Sequence, residues 1–250
     1  MKKWFDKAME WLAQALFRIS PFVYGVLAPF ALLIALTSLS KNLLYLISVK
    51  VALAWNANGN YIGILVGFVA YLVLFMLQVI PRVRHNLTWF MKFTHELTHT
   101  LVAILFGAKI REFVVKDRFC YVNYDVRLGY IPITLSPYCI PIYTFMLFPF
   151  RFVGDSHYMI IFDTLIAFTY AFHVHSFIKQ TRFKRDDIKN CGPVLSTLFI
   201  TFVHSVVISL ILAIPCGGVC NAVYRVFYEY PKAILTAPAV WFTDVMNYMR

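Results

Sequence analysis

Long apolar runs separated by short polar clusters dominate this chain. Runs near 21–40, 61–80, 88–107, 129–150, 156–178 and 193–215 each approach spanning length, since a hydrocarbon core about 30 Å thick needs about 20 helical residues. Residues 1–20 are different. Trp4, Ala8, Trp11, Leu12, Ala15, Leu16 and Ile19 recur at helical spacing, and Lys2, Lys3, Lys7, Glu10, Gln14 and Arg18 fill the other face. That pattern predicts an amphipathic helix lying in the membrane interface. It lacks the continuous apolar core and small-residue cleavage site of a signal peptide. Segment 43–55 is apolar but short and contains Lys50, as a surface helix, a re-entrant helix or a partial crossing would. Residues 216–250, rich in aromatics and interrupted by Pro231 and Pro238, read as interfacial. The periodicity shifts toward two in one place only. Lys109–Val115 and Phe119–Tyr124 partly alternate polar with β-branched or aromatic residues around Lys116-Asp117-Arg118, which predicts a hairpin. The expected fold is an all-α polytopic membrane protein, a single membrane domain over 1–250. It has about six transmembrane helices and a small β-hairpin at the membrane surface.

Composition narrows the class. Of 250 residues, 60% are hydrophobic and only 14% charged, against about 25% charged in soluble domains. Too little polar surface exists to cover a soluble enzyme, and disorder is excluded. The net charge of +11 does not point to nucleic acid. Its basic residues sit in clusters between apolar runs, where they face anionic lipid headgroups, so the expected environment is the lipid bilayer. They divide nearly evenly between the two faces and assign no orientation. The five cysteines, an odd number without repeated spacing, make no disulfide framework. Cys216 and Cys220 read as small packing residues rather than a metal clip.

The candidate chemistry lies in the third run, at His95-Glu96-Leu97-Thr98-His99. Histidines four apart share one helix face, so both imidazoles can bind one zinc ion. Glu96 beside them can take a proton from a zinc-activated water. With 7 His in the chain, composition alone yields H-E-x-x-H about three times in a thousand such sequences. Ionisable groups within an apolar run are also costly enough to suggest function. A catalytic zinc usually takes a third protein ligand. Asp163, His173, His175, His204 and Asp187 are the candidates. Asp163 lies about as deep in its run as His95 does in its own, and the two runs enter from the same face if each apolar segment crosses. Asp187 follows Arg182-Phe183-Lys184-Arg185-Asp186, a stretch that reads as a solvated loop. The reading therefore takes Asp163 as the third ligand, with Asp187 and His173 as runners-up.

At these residues the chain resembles the site-2 protease family of intramembrane zinc metalloproteases. The resemblance rests on His95-Glu96-Leu97-Thr98-His99 and its continuation Leu101–Ile110, where an apolar stretch leads through Gly107 into a strand. It implies a three-helix catalytic core over 88–178, with zinc histidines on the first helix and an aspartate on the third, where Asp163 falls. It further implies hydrolysis of a peptide bond in a membrane-protein substrate. Glu96 would be the catalytic residue, and His95, His99 and Asp163 the metal ligands. Its likeness to compact bacterial members implies a bacterial inner membrane. The family's segment ending Leu-Asp-Gly stands here as Phe162-Asp163-Thr164. Two other readings use the same residues: a non-proteolytic membrane metal-binding or scaffold protein, and a metal or proton transporter. Glu96 separates them, because only hydrolysis requires it.

Overall fold

The computed structural model describes residues 60–229, apart from 117–118, 126–128, 154–157, 182–185 and 215–217, together with 232 and 236. The expected helix at 1–20, the run at 21–40 and the segment 43–55 lie outside the described residues. In chain order the elements are α1 (Asn60–Met76), α2 (Pro81–Leu105), β1 (Lys109–Val115), β2 (Cys120–Asp125), α3 (Tyr130–Cys139) and α4 (Ile142–Val153). They continue as α5 (Met159–Thr181), α6 (Asp186–Cys191), α7 (Pro193–Ala213) and α8 (Gly218–Tyr224).

The described residues are mostly helical, with one two-stranded antiparallel sheet. Three helical stretches are long and apolar enough to cross a bilayer: Tyr61–Val79, Met159–Thr181 and Pro193–Ala213. The run at 129–150 is a pair of helices, α3 and α4, bent by 78°. The bend has a local cause. A residue before proline is pushed out of the α region, and Ile140, before Pro141, is extended at φ −98° and ψ 104°. The run at 88–107 is helical within α2, but Lys92, His95, Glu96 and His99 lie along it and it falls short of the same apolarity. Of the six expected spans, three are found among the described residues, and a fourth only if the bent pair counts as one.

The helices and strands group into two compact units. The first holds Val69–Ile142 and Thr169–Thr201. Within it α2 starts at Pro81, whose fixed φ suits the first helical position. It ends on Gly107 at φ +71°. Gly107 N donates to Ile104 O, and Ala108 N to Ala103 O, each at 2.9 Å. This paired closure satisfies the last carbonyls and turns the chain into β1. The strands pair from Lys109↔Asp125 to Val115↔Cys120, with Arg111 the extra residue of a bulge. The hairpin is anchored from its base: Ile110 and Tyr124 pack against the buried cluster Val102, Ala103 and Ile133. Phe113 meets Phe93 of α2 edge to face at 6.0 Å between centroids.

The second unit contains 60–68, Tyr143–Phe168 and the described residues from 202 onward. Within it α1 lies close against α5. A Cβ added to Gly67 would lie 2.2 Å from Thr164 O, and one on Gly63 2.7 Å from Ile160 O. The spacing Gly63-x-x-x-Gly67 thus lets two backbones touch, as small residues do in membrane helix pairs. The start of the segment predicted to be interfacial is partly packed. Ala222 and Val226 join Leu210 and Ala213 of α7 and the following Ile214 in one buried cluster.

Candidate metal centre

His95, Glu96 and His99 are all buried on α2. The two imidazole rings are 4.9 Å apart between centroids and nearly perpendicular. One carboxylate joins them, that of Asp187 at the start of α6. Among the described residues His95, His99 and Asp187 form the group able to hold an ion, with one ligand atom from each lying within 4.8 Å of the others. His95 Nε2 is 3.9 Å from Asp187 Oδ2. Ligand atoms about 2.0–2.2 Å from one zinc lie roughly 3.3 Å apart in a tetrahedral site. Small rotations of these side chains would close the set onto an ion, and its nitrogen and oxygen donors suit zinc.

The sequence expectation takes Asp163 as the third ligand. Asp163 is fully buried on α5, but Arg151 holds its carboxylate: Nε donates to Oδ1 at 2.8 Å and Nη2 approaches Oδ2 at 3.5 Å. A carboxylate in an apolar helix thus has a structural partner twelve residues upstream. The runner-up His173 is buried on the same helix, its ring stacked 6.5 Å from Tyr170. His175 meets the Tyr71 hydroxyl at 2.6 Å through Nδ1. His204 is half-buried on α7.

Two features that the sequence reading did not assign surround the histidines, and both come from α3. Tyr138 is fully buried, donates its hydroxyl to Asp187 Oδ2 at 2.9 Å, and sets its ring edge-on to His95 at 5.3 Å. The carbonyl of Ile133 lies 2.9 Å from His99 Nδ1 and also accepts the Ser136 hydroxyl at 2.7 Å. A carbonyl can only accept, so Nδ1 of His99 carries the proton and Nε2 holds the lone pair needed for a metal. The signal was present in Ser136-Pro137-Tyr138, since a proline inside a helix frees the carbonyl four residues earlier.

The same charge reaches further groups. Burial, followed by the negative Asp187 carboxylate, pushes the Cys191 thiol up to about 11. Burial and Asp187 also lift the Tyr124 phenol to about 12, with a smaller contribution from Glu96. Both groups are therefore neutral near pH 7. No family model, curated protein or solved structure matches the chain.

Proposed function

We propose that this chain is a zinc-dependent hydrolase of a lipid bilayer, cleaving a peptide bond in a membrane-spanning or membrane-proximal protein. The observation that carries the reading is the convergence of His95, His99 and Asp187, with Glu96 next to His95 on the same buried turn. His95 Nε2, His99 Nε2 and an Asp187 oxygen would hold the ion. Bound zinc supplies Lewis acidity and lowers the pKa of a water toward about 7. Glu96 takes the proton of the attacking water and returns it to the departing amine. The burial of all three α2 side chains keeps bulk water from competing for that proton. The resemblance at 95–110 to site-2 proteases supports the same chemistry, as does the presence of three apolar helices of spanning length. By the same resemblance the membrane is a bacterial inner membrane. Asp187 takes the role that depth along the helices had given to Asp163.

The test is zinc per chain in detergent-purified protein. Wild type should hold about one equivalent, Asp187→Ala should lose it, and Asp163→Asn and Glu96→Gln should keep it. Glu96→Gln should also lower cleavage of a co-reconstituted transmembrane peptide by roughly 10²–10⁴-fold. A wild type that takes up no added zinc would overturn the metal centre. A Glu96→Gln protein that cleaves as wild type does would leave a metal site and remove the hydrolase.

A further inference from the structure

We propose that Ser136-Pro137-Tyr138 of α3 is the positioning device of this centre, orienting all three ligands from outside the ligand set; the proposal rests on the metal-centre reading above. Tyr138 acts on two of them. Its hydroxyl donates to Asp187 Oδ2, the oxygen nearest His95, and its ring closes against the His95 imidazole. A carboxylate near the start of a short helix such as α6 has several rotamers available. The buried phenol selects the one that points Oδ2 toward the histidines. Hydrogen bonds of this kind to ligating carboxylates and imidazoles typically change metal affinity 10- to 100-fold.

Pro137 acts on the third ligand through the backbone. In a regular helix the amide of residue 137 would occupy the carbonyl of Ile133. Proline has no N–H, so that oxygen keeps both lone pairs for other donors. The Ser136 hydroxyl takes one and His99 Nδ1 the other. The carbonyl is thereby filled by two donors. One proline fixes the tautomer of a histidine 38 residues earlier in the chain, and the next residue fixes the aspartate 49 residues later. None of the three residues of the device belongs to the group of ligand atoms.

The experiment compares zinc dissociation constants and visible spectra of the cobalt-loaded protein. Tyr138→Phe keeps the ring against His95 and removes only the hydroxyl. It should bind zinc 10- to 100-fold more weakly, and its cobalt bands should shift because the carboxylate ligand has moved. Pro137→Ala adds a third donor for a carbonyl with two lone pairs and should also weaken binding. Removing the competing hydroxyl as well, in Ser136→Ala/Pro137→Ala, should restore it. A merely structural role for the turn predicts no such rescue. If Tyr138→Phe and Pro137→Ala bind zinc like wild type with unchanged cobalt bands, while Asp187→Ala loses the metal, the positioning role is overturned and the centre stands. If wild type binds no zinc, both fall. Should Tyr138→Phe fail to fold, the Pro137→Ala loss and its rescue decide the matter. An absence of either then overturns the proposal.

Discussion

Asp163 and Asp187 are two carboxylates with different neighbours, Arg151 for the first and His95 with Tyr138 for the second. A charge buried in an apolar helix must be compensated, and a metal ion is one of several ways to do it. For Asp163 the compensation is Arg151, with both side chains almost fully inaccessible. Breaking such a pair from one side leaves an unmatched buried charge and costs about 3–5 kcal/mol. Asp163→Ala should therefore lower the melting temperature in detergent while zinc content stays near one per chain. The double change Arg151→Met/Asp163→Leu should recover most of the loss, since apolar replacements of buried pairs are often neutral. Full stability in Asp163→Ala would show that the pair contributes nothing. The sequence could not reveal this. Arg151 lies in an aromatic stretch, Phe150-Arg151-Phe152, and looked like a flank between two spans rather than a partner for the next helix.

At the scale of elements, legibility followed local pattern and failed where geometry depended on connection. The hairpin was readable because its alternation is local, and β1 and β2 fall within a residue or so of the expected strands. The helix carrying His95 and His99 was readable because i, i+4 spacing fixes a face. The third ligand was not, because the depth argument required every apolar run to cross. Ile140-Pro141 bends the run at 129–150 by 78°, a break that periodicity does not register. A glycine pair also went unassigned. Gly63 and Gly67 bring α1 against α5 backbone to backbone, whereas Gly107 faces open space and is needed only for its positive φ. The two roles predict different penalties. Gly107→Ala should cost about 1–2 kcal/mol of left-handed strain. Gly67→Leu must push the helices apart, at about 1–3 kcal/mol or more. Gly67→Ala should fall between wild type and Gly67→Leu in thermal melts. Equal stability of wild type and Gly67→Leu would mean that the α1–α5 contact does not hold in the membrane protein.

For the whole molecule, the proposed centre is a cross-link made without covalent bonds. Its ligands come from α2 and α6, 88 or more residues apart in sequence. An ion that binds the folded chain and not the unfolded one stabilises by mass action, about 4 kcal/mol when free zinc exceeds the dissociation constant a thousandfold. For a chain of this length that corresponds to a melting shift of about 8–16 °C. Adding a chelator should remove the shift from wild type and leave Asp187→Ala unchanged. The effect should also depend on pH in one direction. His95 and His99 must lose their protons to bind, so stabilisation by zinc is full above the usual histidine range, about 6.5, and fades as pH falls toward 5. Hydrogen exchange would locate the change: chelation should loosen α2 around residues 94–103 and the start of α6. A chelator-insensitive melting curve in zinc-loaded wild type at pH 7 to 8, where binding should be full, would mean that these three side chains come together without an ion to hold them.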